Sequence, residues 1–130
     1  MILLDTHIVL SALGQVDLAL PLPIHQEISQ TTEANVSVAT IWEIAIKHRL
    51  GKMRLTFDIE KLPLMISRQK IEIIEITSYH TLADVGPEPT TKDPFDRLLL
   101  GVCAVEGMKL LTTDRALVGH PLAWHPKEGF

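Results

Sequence analysis

Four short apolar runs, each separated from the next by stretches of helical character, constrain this chain more than any other feature. Ile2-Leu3-Leu4, Asn35-Val36-Ser37-Val38, Ile71-Glu72-Ile73-Ile74-Glu75-Ile76 and Lys109-Leu110-Leu111-Thr112 read as strands, the third on its density of β-branched residues. Helices are expected from Asp5-Thr6 to about Leu13, from about Pro23 to Gln30, from Ala39 to Leu50, from Asp58 to about Gln69, from Ser78 to about Val85, and from Asp93-Pro94 to Glu106. Gly14, Gly51 and Gly107 stop the first, third and last of these. Residues 86–92, rich in Pro and Gly, form the one evident loop, and a last weak strand is expected near Trp124. Strands that alternate with helices pair in parallel, because each return passes over a face of the sheet. The expected fold is α/β: a three-layer sandwich with a central parallel sheet of four to five strands and helices on both faces. One domain should span residues 1–130.

Several classes fall away on composition. With 130 residues, 46% of them hydrophobic, the chain can bury a core without staples. A single cysteine excludes an internal disulfide framework and a Cys-rich zinc site. Cys103 lies within the apolar run Leu98 to Val105 and is expected to be a small buried hydrophobe. That run is the longest apolar stretch and far too short to span a membrane. Asp5 follows three apolar residues, which leaves no room for a signal peptide, so a cytoplasmic location is expected. The six histidines show no metal-binding spacing. A net charge of −4 argues against a protein that holds nucleic acid by charge alone, although a bound metal would reverse the sign locally.

The candidate chemistry is acidic. Asp5 and Asp114 stand where strands one and four give out, and Asp96 lies in the first turn of the last helix. Strand ends and helix starts on one side of an α/β sheet share a crevice. Singly, each acid has an ordinary role. Asp5 and Asp114 can cap the helices after them, Asp93 reads as an N-cap, and Glu43 with Lys47 makes an i,i+4 pair. Yet Glu43 sits among Ile41, Trp42, Ile44 and Ile46 on a helix expected to be largely buried, so it needs an opposite charge. Lys47 is one candidate; a divalent cation shared with the aspartates is the other, since hard cations take oxygen ligands. His7 is read as packing, and the basic patch from Lys47 to Arg54 as a solvated helix end.

In this order, Leu3-Leu4-Asp5-Thr6-His7, Ser37-Val38-Ala39-Thr40-Ile41-Trp42-Glu43-Ile44-Ala45-Ile46-Lys47, Lys92-Asp93-Pro94-Phe95-Asp96-Arg97-Leu98-Leu99 and Leu110-Leu111-Thr112-Thr113-Asp114 resemble the PIN-domain family, and more narrowly its VapC-type toxins. The resemblance implies a metal-dependent endoribonuclease with Asp5, Glu43, Asp96 and Asp114 as catalytic and metal-binding positions around Mg²⁺ or Mn²⁺. It further implies an RNA substrate, a homodimer, and a cognate antitoxin that inserts into a hydrophobic groove. The first helix and the segment from Pro23 to Gln30 are candidate walls of that groove. Two other readings stand beside it. One is a catalytically inactive PIN-like module that binds protein and keeps its acids as caps. The other is a phosphotransferase with Asp5 as nucleophile, which is weakened by His7 where a second aspartate would be wanted.

Overall fold

The computed structural model describes residues 1–15, 20–30 and 33–126. In chain order the elements are β1 (Ile2–Leu4), α1 (Thr6–Ala12), α2 (Leu22–Gln30), β2 (Ala34–Ser37), α3 (Val38–Arg49), a 3₁₀ turn (Ile59–Lys61), α4 (Leu62–Arg68), β3 (Glu72–Ile74), α5 (Ser78–Leu82), α6 (Pro94–Glu106) and β4 (Lys109–Leu111). The four strands form one all-parallel sheet in the order β3-β2-β1-β4. The α/β fold expected from the alternation is the one observed.

The three layers follow from the two-residue period of the strands. Ile2, Leu4, Val36 and Leu111 enter one core, shared with Ile8 and Val9 of α1, Ile24 of α2 and Leu62 and Ile66 of α4. Leu3 and Leu110 point the other way, into a core built with Leu99, Leu100, Val102 and Cys103 of α6. Adjacent strand residues thus serve opposite faces, each with its own apolar core. Helix α3 contributes to both cores, through Ile44 to the first and Ala39 to the second.

Strand order decides where a site can lie. From β1 the chain moves outward to β2 and β3, then returns past β1 to place β4 on its far side. Between β1 and β4 the order reverses, and ligands of open α/β sheets bind beyond the carboxyl ends of the strands at such a switch point.

Four boundaries differ from expectation. The helix after Asp58 begins as a 3₁₀ turn, and Asp58 makes no side-chain cap bond; Pro63, near the start of α4, has no N–H to extend a helix backwards. The third strand is shorter, three residues in place of six. Helix α5 ends at Leu82, before Val85, because Ala83 turns extended and Arg97 takes its carbonyl through Nη2 at 2.7 Å. Near Trp124 there is a single parallel bridge, Leu110 to Ala123, in place of a strand. Leu110 donates to the Leu122 carbonyl and Trp124 to the Leu110 carbonyl, both at 2.8 Å, while Pro121 and Pro126 prevent a longer ladder.

Helix α6 starts and stops as its sequence requires. Asp93 caps it by accepting from the Phe95 N–H at 2.9 Å, Pro94 fills the first position, and Gly107 closes it at φ 71°. Gly101 in its middle lets α5 approach: a β-carbon there would lie 2.1 Å from the His80 carbonyl oxygen. Buried His80 is also bonded through Nε2 to Glu106 at 2.7 Å. Cys103 is buried, and burial pushes its thiol up to about 12, so it packs as an inert hydrophobe.

Candidate active site

Asp5 lies one residue beyond β1, and both of its carboxylate oxygens are engaged. Oδ1 accepts from the Thr6 N–H at 2.7 Å, which caps α1, and Oδ2 accepts from the Thr112 hydroxyl at 2.6 Å. Thr112 follows β4 directly, so this bond ties the two strand ends at the switch point. The Asp5 N–H reinforces it by donating to the Leu111 carbonyl at 3.0 Å. Thr112 Oγ1 in turn accepts from the Asp114 N–H at 3.0 Å. Asp114 is exposed, and its Oδ1 accepts from the Ala116 N–H at 2.9 Å.

Glu43 reaches the same place from α3. It is 8% exposed, and its Oε1 accepts the Thr6 hydroxyl proton while Oε2 pairs with Lys47 Nζ at 2.9 Å. The opposite charge that buried Glu43 needs is therefore supplied by Lys47. Asp96 arrives from the first turn of α6, where Oδ2 accepts from the Thr91 hydroxyl at 3.3 Å.

Asp5 feels the charges of Glu43 and Asp114, and Asp96 feels those of Asp5 and Asp114. Burial raises the Asp5 pKa above the ordinary value, with the charges of Glu43 and Asp114 adding to it; the Thr112 and Thr6 hydrogen bonds oppose the rise. Asp96 is pushed up to about 7, first by burial and then by the charges of Asp93, Asp5 and Asp114. Lys47 is raised by its bond to Glu43, against a smaller effect of burial, and the charges of Glu43, Asp93 and Asp5 add to the rise. Asp93, an N-cap, thus also belongs to the crevice as a source of negative potential.

The donor chemistry suits a hard divalent cation: every candidate ligand is a carboxylate oxygen, and the group repels itself without a positive charge. The side chains are not closed around a point, however. Among the described residues, no group of three or more His, Cys, Asp or Glu is gathered tightly enough to hold a metal ion as it stands. Hydrogen bonds explain part of the spacing, since Asp5 is held by Thr6 and Thr112 and Glu43 by Thr6 and Lys47.

His7 is exposed, as are Arg49, Lys52 and Arg54 of the basic patch. Three threonines that hold the acids escaped the sequence reading. Thr6 adjoins Asp5, Thr112 lies two residues before Asp114, and Thr91 two before Asp93, where it accepts the Asp93 N–H at 3.1 Å. A hydroxyl so close to a candidate ligand is the signal that could have found them.

A family model described as PIN domain matches residues 2–119 of the chain. No curated protein matches it.

Proposed function

Because this chain belongs to the PIN-domain family, whose members are generally nucleases, we propose that it is a Mg²⁺- or Mn²⁺-dependent endoribonuclease and the VapC-type toxin of a toxin–antitoxin pair. The observation that supports this reading is the hydrogen-bonded chain beyond the carboxyl ends of β1 and β4, in which Thr6 joins Asp5 to Glu43 and Thr112 joins Asp5 to Asp114, with Asp96 near enough to feel the charges of Asp5 and Asp114.

In this mechanism Asp5 and Asp96 would hold the ion, and Glu43 and Asp114 would complete its shell or orient the attacking water. When bound, the cation supplies positive charge to the phosphate and makes a water molecule more acidic. The remaining work belongs to the chain. Thr112 and Thr6 fix the Asp5 carboxylate, and Thr6 with Lys47 fixes Glu43, so that the acids keep their bearing as charge accumulates on the phosphate. Asp96, whose carboxyl is pushed up to about 7, would offer a ligand oxygen only in its ionised form. Attack of water on phosphorus breaks the P–O3′ bond and leaves a 5′-phosphate and a 3′-hydroxyl.

The whole chain is taken as one domain, acting as a homodimer in the cytoplasm; among the described residues no helix is long and apolar enough to cross a membrane. A cleft of about 180 Å³ beside Thr112, walled by Pro21, Pro23, Ile24, Val118 and Trp124, supports an apolar seat for an antitoxin.

The test is cleavage of RNA with Mg²⁺ or Mn²⁺ supplied. EDTA should abolish it, and Asp5→Asn or Asp96→Asn should lower it by at least about a hundredfold with the fold intact by circular dichroism. Full activity in either variant contradicts the assignment. A second reading, a PIN-like module that only binds protein, is favoured by one observation: Asp5 and Asp93 both serve as helix caps. Under that reading no metal-dependent cleavage is seen at all.

A further inference from the structure

Trp42 is 56% exposed at the start of α3, although the next residue, Glu43, is buried. The indole is not loose. It meets the ring of Phe95 edge-on, with centroids 5.6 Å apart and planes at 70°. Phe95 is itself partly buried against the core beneath α6. The contact spans α3 and α6, and each ring immediately precedes a site acid: Trp42 before Glu43, Phe95 before Asp96. A half-exposed indole is thus braced by Phe95, on the same two helices that carry Glu43 and Asp96.

Charge indicates what such a surface is for. A net charge of −4 argues against holding a polyanion by neutralised phosphates alone. Stacking of a base on an aromatic ring needs no positive charge, tolerates any sequence, and is open only to bases not already paired. We propose that Trp42, braced by Phe95, is a stacking platform for an unpaired base of single-stranded RNA, the adjoining phosphate lying at the acidic crevice. The choice of RNA rests on the nuclease reading above; the platform itself does not depend on cleavage.

The test is equilibrium binding of a short, dye-labelled single-stranded RNA with Ca²⁺ in place of Mg²⁺ or Mn²⁺ at about 0.1 M salt, where like-charge repulsion is screened, followed by anisotropy. Trp42→Ala should weaken binding roughly tenfold or more, and Trp42→Phe should keep most of the affinity. Phe95→Leu should lose an intermediate share, while the matching RNA duplex binds all these proteins alike. Equal affinity of wild type and Trp42→Ala for the single strand overturns the proposal, as does an equal loss for the duplex. Conversion of a dimer to a monomer by Trp42→Ala, seen by sedimentation, also overturns it and assigns the ring to an interface between copies. Metal-dependent cleavage by the wild type judges the parent reading separately. A chain that never cleaves, yet binds single strands through Trp42, keeps the platform and loses the nuclease; one that cleaves while Trp42→Ala binds equally well does the reverse.

Discussion

Asp96 carries the clearest consequence of burying a carboxylate among other acids. Its folded-state pKa of about 7 lies above the ordinary 3.8, so between those values the folded chain holds a proton that the unfolded chain has released. Stability from this group is full below the lower value and is lost as pH rises through the upper one. Asp5, also raised, acts in the same direction. The metal-free protein should therefore melt lower as pH is raised from about 5 to about 8, and Asp96→Asn, which never ionises, should remove part of that fall. For a half-buried carboxylate, screened by solvent, the difference should be roughly 3–5 °C. Calorimetric melting in EDTA across that range checks it, and identical slopes for wild type and variant would count against the electrostatic coupling. The acids themselves were legible in the sequence, because a charge at the end of an apolar run is conspicuous. Their tethers were not: the Thr112 bond to Asp5 joins residues 107 apart, and local pattern carries no trace of such a pair.

At the scale of elements, the contact between α5 and α6 hinges on one missing side chain. Alanine at position 101 would raise helix propensity by about 1 kcal/mol. Its β-carbon would nevertheless lie 2.1 Å from the His80 carbonyl oxygen, a backbone atom of a helix whose own side chain is buried. The clash wins, and Gly101→Ala should destabilise the protein by about 2–3 kcal/mol. Denaturant unfolding would show it as a lower midpoint with unchanged slope; an unchanged or higher midpoint would mean that α5 moves aside freely. Element types and order were readable from periodicity, glycine stops and the Asp93-Pro94 start of α6. Ends set by tertiary contact were not, as the early finish of α5 shows: the Ala83 carbonyl is taken by Arg97, fourteen residues on. Likewise the bridge at Ala123 exists because Leu110 presents an open edge to the returning chain.

For the molecule as a whole, the parallel order β3-β2-β1-β4 puts the switch point between the two strands that are followed by Asp5 and by Thr112-Thr113-Asp114. Fold and candidate site are therefore one argument: the topology that buries both sheet faces also brings like charges to one edge. Their cost is offset by hydroxyl bonds and by Lys47, and under the nuclease reading a divalent cation would offset it further. The acids do not close on a point among the described residues, so a cation that bound them would have to draw them together and displace protons. Calorimetric titration of the metal-free protein with Mn²⁺ measures this directly. The account predicts saturable binding tighter than millimolar, strengthening as pH rises through about 7 and lost in Asp5→Asn and Asp96→Asn. Binding that is millimolar or weaker, and no different in the two variants, would contradict it.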